Sequence, residues 1–173
     1  MRGWKARNNY DAPMTPSPYA KDLGGREPIA AMRDTIARVR TLTSDWTTPR
    51  FERSYAPGKW SARLILTHLA QSEIMLGNRA RMALTVPNYA AQAMDQDKWI
   101  ARESHLAGPD AVAAFLATAQ MNVVLFDSLS PEDRQTTLTH PEYGALTVSW
   151  IIDTVAGHEL HHLVQLEQIA SAG

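Results

Sequence analysis

Apolar residues recur at helical spacing in four long stretches of this chain, and that repetition constrains the fold more than any single motif. The first opens near Glu27 and Pro28, carries Ile29, Met32, Ile36, Val39 and Leu42 on one stripe, and must stop before Pro49. The second opens at about Ala62, after a turn through Tyr55, Pro57 and Gly58 that ends in an N-cap serine, Ser61, and runs to about Leu84. From about Pro109 to Leu129 the third presents Val112, Phe115, Ala119, Val123 and Phe126 on a broad face. The fourth fills the remainder after a cap at Thr147 or Ser149, with Ile151, Val155, Leu166 and Ile169 on one stripe. Between the last two, Ser130-Pro131-Glu132-Asp133 suits a capped turn and residues 136 to 148 a small hairpin around Glu142-Tyr143-Gly144.

Four amphipathic helices with little strand predict an all-α protein, a four-helix bundle. The connection from residue 85 to 108 is too long for an antiparallel hairpin and allows helices 2 and 3 to run parallel. The expected order is up-down-down-up, with helices 2 and 4 antiparallel. Residues 1–22, with Pro13, Pro16 and Pro18 and no periodicity, read as an N-terminal arm whose Trp4, Tyr10 and Tyr19 suggest packing; residues 23–173 read as the bundle domain.

Composition narrows the chemistry. The chain has 173 residues, 45% of them hydrophobic, and no cysteine, so disulfides, thiolate metal ligands and a cysteine nucleophile are excluded. It shows no signal-peptide pattern and no unbroken apolar run of membrane-spanning length, which predicts a cytoplasmic protein without a membrane partner. Residues 1–60 hold eleven Lys and Arg against six Asp and Glu, yet Arg33, Arg38 and Arg40 spread around their helix, so no nucleic-acid surface is expected.

Half of the six histidines lie in Gly157-His158-Glu159-Leu160-His161-His162. His158 and His162 are an i, i+4 pair, about 6 Å apart on one helix face, and that face is the apolar one. His68 points inward from helix 2, beside Leu64, Ser72 and Met75. It stands ~10 Å from the start of its helix, and the pair stands ~16 Å from the end of helix 4. Antiparallel helices therefore bring the three to similar height, as a facial set of nitrogen ligands suited to Zn, Ni, Fe or Co, with positions left for water or substrate. His161 lies about 100° around from His162 and reads as a supporting or surface group. His105 and His140 carry no spacing signal and read as ordinary loop residues; Glu73 either reaches back towards the site or faces solvent. The literal H-E-x-x-H match is set aside as a protease signature, because only Glu167 follows it as a candidate ligand. Ser72 and Met75 on the wall and Trp99 at the mouth are the expected substrate-binding residues.

Several motifs in order, Gly58-Lys59-Trp60-Ser61, His68-Leu69-Ala70 with Glu73, Asp95-Gln96-Asp97-Lys98-Trp99, His140-Pro141-Glu142-Tyr143-Gly144 and the segment from His158 to Gln165, resemble the DinB-like (DinB/YfiT) superfamily of metalloenzymes. The resemblance runs from about residue 25 to 170 and implies a four-helix bundle with a three-histidine metal site. By it the helix-2 ligand is His68 and the terminal pair His158 and His162. It further implies a metal-dependent enzyme acting on a small molecule, as a transferase using a low-molecular-weight thiol such as mycothiol or bacillithiol, or as a hydrolase. The alternative is a metal-containing small-molecule binding or resistance protein without turnover. A homodimer is implied as well; no general acid or base is assigned.

Overall fold

A computed structural model describes residues 15–172; Trp4, Tyr10 and Pro13 of the expected arm lie outside the described residues. The elements follow in chain order as α1 (Ala20–Leu23), α2 (Pro28–Leu42), α3 (Thr48–Phe51), α4 (Ala62–Thr85), α5 (Gln96–Glu103), α6 (Gly108–Ser128), α7 (Pro131–Arg134), β1 (Thr137–His140), β2 (Gly144–Thr147) and α8 (Val148–Ser171).

Capping chemistry sets the helix starts. The Glu27 carboxylate accepts from the backbone N–H of Ile29 and Ala30, with Pro28 in the first turn of α2. Ser61 Oγ accepts from Leu64 N for α4, and Thr147 Oγ1 from Trp150 N for α8. The α4 helix stops where Pro87 disfavours a helical Val86. A reciprocal Ser130–Asp133 capping box opens α7.

The long helices α2, α4, α6 and α8 form the bundle, in which α4 lies between α6 and α8, and α2 closes the ring against the same two. Cross-helix contacts give the directions. Arg63 at the start of α4 donates to Leu106 O just before α6, so those two run parallel. Arg33 near the start of α2 pairs with Asp127 at the end of α6, so those are antiparallel. His68 early in α4 meets His158, well along α8, and α4 and α8 are antiparallel. The order is up-down-down-up, and the crossover between α4 and α6 makes it possible.

The core is filled by Met32, Ile36 and Val39 of α2, Ile65, Leu66 and Leu69 of α4, Phe115 and Phe126 of α6, and Ile151, Ile152, Leu166 and Ile169 of α8. α6 is long and apolar enough to cross a membrane by composition, but here it packs against α4 and α2. The hairpin pairs Thr137 with Thr147 and His140 with Gly144, whose φ of 73° suits the turn. It also anchors the crossover, through Thr139 N to Tyr89 O and Ala91 N to Thr139 O. Residues 15–23 lie against α8: Trp150 Nε1 donates to Thr15 O at 2.7 Å, and Gly157 leaves room for the Tyr19 backbone.

Candidate metal centre

Two helices position the site. His68 comes from the second turn of α4, and His158 and His162 from successive turns of α8. All three are buried, with ring centroids 4.9 Å apart for His68 and His158, 5.1 Å for His68 and His162, and 4.6 Å for His158 and His162. One nitrogen from each can be chosen so that all three lie within 4.8 Å of one another. His68 Nε2 and His158 Nε2 are 3.0 Å apart. Aromatic rings hold the outer sides, Trp60 against His68 at 5.0 Å and Tyr19 against His158 at 4.8 Å.

A chain of hydrogen bonds fixes the lone pair of His162. The Asp22 carboxylate can only accept, so His161 Nδ1 donates to it at 3.1 Å, and in that tautomer His161 Nε2 is an acceptor. Gln165 Nε2 donates to that nitrogen at 3.2 Å, and its Oε1 therefore faces His162 Nδ1 at 2.8 Å and takes that proton. His162 Nε2 is left as an unprotonated donor atom. This arrangement is the usual outer support of a metal-binding imidazole. Sequence spacing places His161 beside the ligands, whereas nothing in the spacing gives Gln165, three residues after His162, or Asp22 this supporting role.

Burial keeps the imidazoles neutral. It drives His68 down to about 4 and His162 to about 3, and it takes His158 well below 6.5, with the neighbouring histidines adding to the shift. Three neutral nitrogens, one held in its tautomer and one, His68, with a buried Nδ1 lacking a partner, are a donor set that fits a divalent transition metal.

A cavity of about 210 Å³ opens beside His68 and His158, and Ser72 and Met75 line its wall. Trp99 does not. Ile100 is the buried residue of the short α5, so the neighbouring position turns away and Trp99 is 40% exposed. His140 corrects another expectation: it is 5% exposed at the end of β1, lines the cavity, and accepts from Glu142 N through Nδ1 at 3.2 Å. The hairpin, not any spacing between histidines, brings it there. His105 is exposed in a loop, as read from the sequence.

Glu73 takes neither of its two expected positions. It is 1% exposed in the core, accepts from Asn122 Nδ2 at 2.8 Å, and faces Glu159, which is fully buried. Burial raises both carboxyls, and their mutual repulsion adds to Glu159, so the pair retains a proton. Glu159 thus sits among core side chains, which removes the protease meaning of the H-E-x-x-H string.

Fold and site together define a helical-bundle protein with a three-histidine centre suited to a metal ion. The chain belongs to the DinB superfamily, whose family model matches residues 31–166. A candidate metal-dependent hydrolase of Oceanobacillus iheyensis is 26% identical over 142 residues, covering 82% of this chain and 83% of that protein. A similarly named protein of Bacillus mycoides is 25% identical, with 82% of each chain covered. Among solved structures, YfiT from Bacillus subtilis, described as a candidate metal-dependent hydrolase with an unusual four-helix bundle topology, superposes with a TM-score of 0.74 at 18% identity, over 96% of this chain and 91% of that one. A mycothiol-dependent maleylpyruvate isomerase gives a TM-score of 0.65 at 18% identity, over 88% of this chain and 63% of that one.

Proposed function

We propose that this chain is a metal-dependent enzyme acting on a small molecule, with His68, His158 and His162 as the protein ligands of one divalent transition metal, Zn, Ni or Fe. The observation that carries this reading is the convergence of three neutral, buried imidazoles, two of which, His68 and His158, line a cavity. When bound, such an ion supplies Lewis-acid chemistry, lowering the pKa of a small nucleophile, water or thiol, towards neutrality.

The chain's own residues do the rest. The Asp22–His161–Gln165 chain holds His162 in one tautomer, and Trp60 and Tyr19 fix the rings of His68 and His158. Ser72 and Met75 present a hydroxyl and a thioether to the substrate along the α4 wall. A cavity below the ~300–1,000 Å³ of sites for drug-sized ligands suits a small substrate. The names of the relatives favour hydrolysis, and the isomerase named for mycothiol keeps thiol transfer as the second reading. We extend the reading to a homodimer through the exposed Ile74 of α4 and Met121 and Val124 of α6, on adjacent helices.

Zinc-loaded and chelator-treated protein should be assayed against small esters and amides without thiol, and against electrophiles with low-molecular-weight thiols. Turnover only in the metal-loaded form is expected. Undiminished turnover after chelation would refute the proposal, and metal binding without turnover of either kind would favour a ligand-binding protein.

A further inference from the structure

Arg79 lines the same cavity as His68 and His158 and is 7% exposed. The α4 helix arranges this, since positions 68, 72, 75, 76 and 79 share one face. Eleven residues separate Arg79 from His68, a rise of about 16 Å, and helical side chains lean towards the N-terminus, here the histidine end.

A buried guanidinium needs a compensating partner, because its desolvation is costly. Its Nη2 donates to Gln92 O, a neutral acceptor. Among the described residues no carboxylate comes within 4.0 Å of it. Glu142, on the cavity lining, acts on it only from further away. Among the described residues its remaining N–H groups, of the five a guanidinium carries, have no further hydrogen-bond partner. A tether to Gln92 alone would not require a charge. His140 adds a donor: its Nδ1 accepts from Glu142 N, so the neutral ring carries its proton on Nε2.

We propose that Arg79 and the Nε2–H of His140 form a carboxylate-binding subsite, so that the molecules this cavity takes are small anions whose other end meets the histidine centre. What happens at that other end rests on the metal-enzyme reading; recognition of the carboxylate does not.

The test is calorimetric titration of 3-mercaptopropionate and its uncharged isostere 3-mercaptopropionamide into zinc-loaded and metal-free protein. The acid should bind wild type at least ten-fold more tightly than the amide. In Arg79→Gln, at unchanged melting temperature, the two should bind equally, and Arg79→Lys should fall between. Glutarate, which has no sulfur, should compete with the acid in wild type and not in Arg79→Gln. Equal binding of acid and amide by wild type overturns the proposal, as does a preference that survives Arg79→Gln or a failure of glutarate to compete. Should Arg79→Gln not fold, the wild-type preference and Arg79→Lys decide. If removing zinc changes neither affinity, the metal-enzyme reading fails while the acid–amide comparison still decides the subsite.

Discussion

His68 and His158 stand 90 residues apart in the chain and hold their Nε2 atoms 3.0 Å from each other. Two neutral imidazoles can share that distance in metal-free protein only if one Nε2 carries the proton. Whichever does, the buried Nδ1 of His68 has no partner. Polar atoms so arranged inside a bundle are retained at a cost to stability, and a cation that both Nε2 lone pairs can bind offsets it.

Loss of either α8 ligand should therefore empty the site. His158→Ala and His162→Ala are expected to bind less than a tenth of the wild-type metal in atomic emission measurements, whereas His161→Ala should keep most of it. A site emptied by His161→Ala alone would mean that the ligand pair is wrongly assigned.

Gln165→Leu removes the acceptor of the His162 Nδ1 proton without touching a ligand. Metal affinity should fall about 10- to 100-fold in a competition titration with a chromogenic chelator. Asp22→Asn should act in the same direction and more weakly, since it is two hydrogen bonds further away. Unchanged affinity in Gln165→Leu would show that the tautomer is fixed by something else.

Stability of metal-free protein should carry two opposing dependences on pH below neutrality. His68 and His162 are held down to about 4 and about 3, so between those values and 6.5 the unfolded chain binds more protons, and stability drops as pH falls through that window. The limit for His68 alone is on the order of 3 kcal/mol. Glu73 has the opposite sign. Burial raises its folded pKa to about 7, so the stability it contributes is full below 4.5 and is lost as pH rises from there to about 7. Urea midpoints from pH 3 to 8 should show His68→Asn flattening the fall towards acid pH and Glu73→Gln removing the opposing loss between pH 4.5 and about 7.

Gly157→Ala should cost about 1–3 kcal/mol in urea unfolding, because a Cβ there would lie 2.5 Å from the Tyr19 carbonyl oxygen. The same change should weaken metal binding by displacing Tyr19 from His158. A wild-type midpoint would show that residues 15–23 do not pack on α8 in solution.

The bundle was legible because its signals are local. Pro28, Ser61, Pro109 and Thr147 mark helix starts that the structure reproduces to within a residue, and the length of the 85–108 crossover told the direction of α6. Convergence of His68 with His158 and His162 followed from height arithmetic on antiparallel helices. What escaped depends on tertiary placement. Arg79 and His140 share a cavity only because the crossover is stitched to the hairpin at Tyr89, Ala91 and Thr139. Glu73 looked like a site or surface residue because nothing in its local sequence announces Asn122 and Glu159 as core partners. Trp99 was misplaced by a helix too short to show a period.

The most direct test of the central claim is an anomalous difference map from crystals of protein grown with zinc, collected at the zinc edge. The account predicts one strong peak bonded to the Nε2 atoms of His68, His158 and His162 at about 2.0–2.2 Å. No peak between these side chains, or one held by His161 and Asp22 instead, would contradict it.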